Sequence, residues 1–257
     1  MALFVDGPVS TAGDLAQVDG GLLDAAASHS INVTSKLELA HDSLASDIQL
    51  WLDRFRSPDR LFVAGSVTGY RLEQVVVSDS IRHWERMQAL ALVYRDAWFA
   101  DLAERYRVRW DEYAKQSRDA YERFVASGLA LVGDPLKKAA PPALTTFAGP
   151  QRGGSFYAAV AWINAAGQEG AASEISSLDV PDGQIMVVTA GAAPTNATGY
   201  NVYVGTTLGT LTQRNDIPLP VTSSFTYIPG NAASTRQPGN GQAPDFIRPL
   251  RRTLLRG

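Results

Sequence analysis

With 257 residues the chain is long enough for one large domain or two ordinary ones, and an apolar content of 45% can supply a packed core. A net charge of −3 gives no electrostatic reason for bulk binding to nucleic acid or to an anionic membrane. The absence of cysteine excludes disulfides, thiolate nucleophiles and thiolate metal sites, and fits assembly in a reducing cytosol.

The opening stretch "MALFVDGPVSTAGDL" has neither a basic start nor a continuous apolar run, so no secretion signal is expected. No segment approaches the roughly 20 apolar residues of a membrane span, and a soluble protein with no membrane contact is expected. Charge divides the chain into regions. Residues 1–138 hold 16 Lys+Arg and 20 Asp+Glu, residues 149–237 hold 3 and 5, and residues 238–257 hold 4 and 1. The domain reading follows that division: a helical domain over 1–135, a Pro-rich linker over 136–148, a β-domain over 149–237 and a C-terminal arm over 238–257.

In the first region Leu37, Leu44, Ile48, Trp51, Leu52 and Phe55 recur at three- and four-residue spacings, which predicts an amphipathic helix. Thr34 or Ser35 is placed to cap it and Pro58 follows its end. The glycines of "RLFVAGSVTGYRLEQVVVSD" and the run Val75–Val77 predict a loop or a short extended arm. Ser78 or Asp79 then caps a long helical stretch with Trp84, Met87, Ala91, Tyr94, Trp98 and Leu102 on one face. Tyr106, Trp110, Tyr113, Tyr121 and Phe124 continue that face until Gly128 or Gly133. The run is either one rod or two helices broken near Arg105–Arg109. Pro135, Pro141 and Pro142 stiffen the linker and exclude helix there.

Beyond the linker, "GSFYAAVAWINAAG" alternates, and "QIMVVTA", "GYNVYVGTT" and "SFTYI" are further strands parted by Gly, Asn and Pro turns. That pattern predicts a β-sandwich. The fold class is therefore multidomain α + β: a helical bundle with long helices, an all-β sandwich, which the resemblance given below makes immunoglobulin-like, and an extended arm.

Little in the sequence carries chemistry. His29, His41 and His83 lack metal-ligand spacing and read as surface or packing residues. "GPQRGGS" lacks the Lys-Ser/Thr ending of a phosphate loop, and "NVT" at Asn32 and "NAT" at Asn196 read as chance glycosylation triplets. No catalytic residue, metal or cofactor is assigned, and no enzyme activity is expected. The aromatics Trp84, Tyr94, Trp98, Tyr106, Trp110 and Tyr113 read as core or as self-association surface. The tail combines Phe246, Ile247, Leu250, Leu254 and Leu255 with Arg248, Arg251, Arg252 and Arg256. Five exposed apolar side chains are unfavourable by roughly 1.5–3 kcal/mol each, so the tail reads as an arm that docks into a partner's groove.

The segments "FYAAVAWINAAGQEGAASEISSLDVPDGQIMVVT" and "ATGYNVYVGTTLGTLTQRNDIPL" resemble the immunoglobulin-like or fibronectin-III-like modules of tailed-bacteriophage structural proteins. Tyr157, Asn164, Gly167, Glu169, Gly199 and Asn201–Gly205 fit their pattern. The helical segments "LELAHDSLASDIQLWL" and "IRHWERMQALALVYRDAWFADLAERYRVRWDEYAKQSRDAYERF" resemble head–tail connector (adaptor) proteins. That resemblance implies a virion protein, assembled in the host cytoplasm, forming a ring of about twelve copies at the head–tail interface. It also implies a portal held through the C-terminal arm, a tail or neck protein on the other side, and a channel that DNA crosses without specific binding. The rival expectation is a tail, baseplate or capsid-decoration protein whose β-module binds host carbohydrate around Trp162, Tyr200 and Tyr203.

Overall fold

The structure, a computed structural model, describes residues 2–54, 69–228 and 234–250. Phe55, Pro58, the glycine-rich connection as far as Thr68, and Arg251, Arg252, Leu254, Leu255 and Arg256 of the arm lie outside the described residues. The described helices are α1 (Ala12–Val18), α2 (Leu22–Ser28), α3 (Val33–Arg54), α4 (Asp79–Asp101) and α5 (Glu104–Ser127). The strands are β1 (Leu129–Leu131), β2 (Ala143–Ala148), β3 (Gly154–Asn164), β4 (Ser176–Val180), β5 (Gln184–Thr189), β6 (Ala197–Gly205), β7 (Thr212–Gln213), β8 (Leu219–Pro220), β9 (Phe225–Thr226) and β10 (Phe246–Arg248). The class is mixed α+β, with helices in the N-terminal half and antiparallel sheets after them.

The chain forms two compact units, and neither is continuous in sequence. Gly7–Leu131 and Pro244–Gly257 make one; Met1–Asp6 and Val132–Ala243 make the other. Both ends thus depart from the four consecutive segments read from composition. The first residues join the β-unit because Leu3 and Phe4 are buried and an Asp6 carboxylate oxygen accepts the Lys138 N–H at 2.8 Å. Residues 244–250 return to the helical unit, where the Asp245 N–H donates to the Leu131 carbonyl at 2.9 Å.

In the helical unit each start has a local cause. Thr11 and Asp14 form a reciprocal capping box at α1, a short helix that the hydrophobic spacing did not predict. Asn32 Oδ1 accepts the Ser35 N–H at 3.1 Å, which moves the cap of α3 two residues ahead of Thr34. Ser78 caps α4 as expected. The long helical run is two helices, and the break lies at Leu102–Ala103, before Arg105. Leu102 adopts a left-handed conformation (φ 51°, ψ 21°) and Ala103 an extended one, which folds α5 back along α4. Trp84 packs on Phe124, Tyr94 on Tyr113 and Trp98 on Trp110, so the two helices run antiparallel.

α5 ends at Gly128, whose φ of +83° favours glycine. A Cβ there would lie 2.8 Å from the Arg248 carbonyl oxygen and 2.9 Å from Ile247 Cγ2. That close approach lets β10 pair antiparallel with β1, in the register Leu129–Arg248, Ala130–Ile247 and Leu131–Phe246. On the other side of β1, Val75 bridges Leu131 and the Val76 N–H donates to the Ala130 carbonyl, so the β-branched run Val75–Val77 is buried as extended chain.

The β-unit holds a three-stranded sheet, ordered β2-β5-β9, and a larger one, ordered β4-β3-β6-β7 with β8 also on β6. One buried cluster draws on both: Phe156, Val160, Trp162, Val180, Met186, Val188, Tyr200 and Val202 among others. β3 alternates sides as expected, Phe156, Ala158, Val160 and Trp162 facing that cluster and Tyr157, Ala159 and Ala161 the other way, and beyond Ala158 both faces are buried. A second cluster of Ala159, Ala161, Tyr203 and Leu211 covers its other face. The Pro-rich linker is shorter than 136–148, because β2 starts directly after Pro142. Proline fixes φ in the extended range and is tolerated at the start of an edge strand. The spacer before the tail is also tied down. The Gln213 N–H donates to the Arg236 carbonyl, Asn240 bridges Ala171, and Gln242 Oε1 accepts the Leu136 N–H at 2.6 Å.

Candidate functional site

Four of the six self-association aromatics are core residues. Trp84, Tyr94, Tyr106 and Tyr113 are buried within the helical unit. The reason is polar as well as apolar. The Tyr94 and Tyr113 rings stack at 5.6 Å, and both hydroxyls donate to one oxygen of the buried Asp19 at 2.8 Å. The Gly21 N–H donates to the other Asp19 oxygen at 2.9 Å, and the Arg109 guanidinium lies 3.8 Å from the carboxylate. Burial acts to raise the Asp19 carboxyl. The hydrogen bonds from Tyr94, Tyr113 and Gly21, with Arg109, outweigh it and hold the group below the usual carboxylate range. Burial and the Asp19 charge push the Tyr113 hydroxyl up to about 12 and raise Tyr94 as well. Residues that read as an interface are thus the polar-tipped centre of the helix pair.

Trp98 and Trp110 differ. They are half-buried and stack at 5.5 Å at the end of the hairpin, where Phe99 joins them at 4.7 Å from Trp98 and 6.1 Å from Trp110. Phe99 is 62% exposed, Leu102 at the break is 68% exposed, and Val108 on α5 is 57% exposed. A left-handed leucine costs roughly 1–2 kcal/mol, and its side chain here gains little burial in return. Sequence reasoning missed Phe99 and Val108 and placed Leu102 on the buried face. The available signal was "WFADLAERYRV": large apolar residues falling off the inward stripe, among charges, at a helix break.

The tail is placed differently from the free arm expected. Phe246, Ile247 and Arg248 form β10 on their own chain's β1, and Leu250 is buried. The Phe246 ring lies 5.7 Å from that of Tyr70, and the Arg248 guanidinium lies over the Tyr70 ring at 5.9 Å. The backbone of this stretch pairs in cis, because Gly128 leaves room for it, while the Phe246 and Ile247 side chains stay 38% and 61% exposed. The other residues of the expected docking arm, Arg251, Arg252, Leu254, Leu255 and Arg256, lie outside the described residues.

The β-unit aromatics expected around a carbohydrate are unavailable for stacking, since Trp162, Tyr200 and Tyr203 are all fully buried. The Tyr203 hydroxyl donates to Glu169 at 2.6 Å, and Glu169 also accepts from Asn201 and Arg236, which makes it a structural hub. Among the histidines, His41 Nδ1 lies 2.9 Å from the fully buried Glu85, whose two oxygens also accept the Val9 N–H, and His29 packs edge-on against Tyr106. Among the described residues no group of three or more His, Asp or Glu side chains is placed to hold a metal ion, and no helix is long and apolar enough to cross a membrane. No known protein family, curated protein or solved structure matches the chain.

Proposed function

We propose that the chain is a structural protein of a tailed-phage virion, a head–tail adaptor whose copies join into a ring of about twelve between portal and tail. The observation that carries this reading is the hairpin tip. Trp98 and Trp110 stack with the exposed Phe99, and the exposed Leu102 follows at the break, at the end of a pair of helices longer than twenty residues each. Contiguous exposed apolar surface rimmed by charge marks a protein-binding site, and aromatic residues are enriched in such interfaces. In this account the helical unit builds the ring and lines a passage for DNA. The chain's slight acidity leaves the passage without affinity for the nucleic acid. The β-unit, in the manner of an immunoglobulin-like module, is an added surface domain. The terminal residues 251–257, with three arginines and two leucines, carry the contact with the portal.

The resemblance of the helical segments to connector proteins agrees with this assignment. The test is to purify the chain, mix it with the portal of its virion, and image the mixture by electron microscopy. Rings seated on the portal are expected. A portal left bare at saturating concentrations of the chain would reject the reading.

A further inference from the structure

The three-stranded sheet of the β-unit ends in an unguarded edge. Among the described residues β2 pairs only with β5. The register sets Thr146 opposite Met186, and the Met186 carbonyl accepts the Tyr227 N–H at 2.9 Å on the β9 side of β5. The backbone of Thr146 therefore turns away from β5, and by the two-residue period so do those of Leu144 and Ala148. The Gly149 N–H donates to the Gly183 carbonyl at 2.8 Å, which keeps the odd positions on the β5 side. Proline closes the outward series at both ends. Pro142 and Pro150 have no N–H, and the Pro142 carbonyl accepts the Ser176 hydroxyl at 2.8 Å. The edge is left with the donors and acceptors of Leu144, Thr146 and Ala148.

An unpaired edge is a template for another strand, and proteins block it with charge, short length or cover. The other edges of this chain are blocked. β4 carries Asp179, the Gln213 N–H of β7 is taken by the Arg236 carbonyl, β8 and β9 have two residues each, and β10 ends in Arg248. β2 has six residues, and no charged residue lies between Ala139 and Gln151. Its sequence also selects the occupant, because the edge is symmetric about Thr146. Pro142 and Pro150 lie four residues to either side, and Leu144 and Ala148 two. A second β2 turned end for end meets it with Thr146 on Thr146, Leu144 on Ala148 and Thr145 on Phe147. Every outward donor then meets an outward acceptor, and proline faces proline where the ladder stops. The side chains match as well: leucine lies against alanine, and Phe147, 47% exposed, against the β-branched Thr145.

We propose that β2 of one copy pairs antiparallel with β2 of a second copy, Thr146 on Thr146, and joins the two three-stranded sheets into one. The contact is isologous, so it joins copies in pairs. One strand pair covers far less than the roughly 1,200–2,000 Å² of a stable interface. It leaves a dilute chain unpaired and engages where another assembly step holds β-units close together. The inference goes beyond the adaptor reading and does not depend on it.

The natural chain has no cysteine, so introduced thiols report the register. Thr145 and Phe147 of opposite copies form a pair without mutual hydrogen bonds, with Cα atoms about 4.5 Å apart, within reach of a disulfide. Thr145 with Thr145, or Phe147 with Phe147, lies on a diagonal of about 7–8 Å, beyond that reach. Full-length Thr145→Cys and Phe147→Cys variants, concentrated, mixed and mildly oxidised, should give about ten-fold more covalent dimer than either gives alone. A chain carrying both substitutions should stop at the dimer. Ala143→Cys mixed with Phe147→Cys is the register control and should stay at background. No cross-link in the first mixture, an equal yield in the control, or a ladder beyond the dimer overturns the proposal. Portal binding without the cross-link would overturn this contact and leave the adaptor reading standing. The cross-link without portal binding would support the contact and count against the adaptor reading.

Discussion

Replacing Leu102 by glycine separates the stability of the subunit from its assembly. Leu102 holds φ 51° and ψ 21°, a conformation that costs a leucine roughly 1–2 kcal/mol and glycine almost nothing. Against that relief stand the greater backbone entropy of glycine in the unfolded chain, roughly 0.5–1 kcal/mol, and the packing of the third of the side chain that is covered. The sum leaves Leu102→Gly within about 1 kcal/mol of the natural chain in urea unfolding followed by circular dichroism. Assembly behaves differently. A leucine with two thirds of its side-chain area still exposed has about 1–2 kcal/mol of burial left to gain at an interface, from the roughly 1.5–3 kcal/mol for complete burial. Losing it weakens each contact about 5- to 30-fold, which sedimentation velocity over a concentration series resolves. If the variant unfolds at markedly lower urea, Leu102 is a packing residue and the tip is not poised for a partner. If association is unchanged at equal stability, the tip is not the interface.

Three further outcomes follow from the packing. Asp19→Ala leaves two buried tyrosine hydroxyls without their acceptor and should cost about 3 kcal/mol, read from chemical denaturation. In the natural chain the lowered Asp19 carboxyl contributes stability above its unfolded value of about 3.9, lost as pH falls through its lower folded value. The raised Tyr94 and Tyr113 contribute below about 10, lost as pH climbs toward about 12; the variant should show no acid loss from this carboxyl and a smaller alkaline loss, because burial of the two hydroxyls remains when the Asp19 charge is gone. An unchanged midpoint in Asp19→Ala would contradict the assignment of these tyrosines to the core. Gly128→Ala forces a side chain against the Arg248 carbonyl, so β10 should leave β1 and the amides of Leu129–Leu131 should lose hydrogen-exchange protection; full protection would refute the close approach. Gln151 buries both amide atoms with no hydrogen-bond partner among the described residues, so Gln151→Leu should raise stability by about 1 kcal/mol, and a lower melting temperature would show that the amide is satisfied in solution.

Elements whose pattern is local were legible. The stripes of α3 and α4 and the Ser78 cap of α4 follow from residues three and four apart, and β3, β5 and β6 are apolar runs bounded by turn residues. What distant residues decide was not legible. Nothing near Phe246 says that it pairs with Leu131, more than a hundred positions earlier; that pairing depends on Gly128 admitting a backbone. The break, one of two alternatives and expected near Arg105–Arg109, lies a few residues earlier at Leu102, because leucine is a strong helix former and nothing local marks it as left-handed. The same holds for the site. Trp84, Tyr94, Trp98, Tyr106, Trp110 and Tyr113 share one helical period, and the period alone cannot separate the four that reach the core from the two that brace the tip.

The central claim is that this chain assembles with itself through the end of its helical hairpin. Mass measurement of the full chain with and without Phe99→Glu, alone and on the portal, tests it most directly. The account predicts a multimeric mass for the natural chain and a monomer of unchanged thermal stability for the variant. The same mass for both would contradict it.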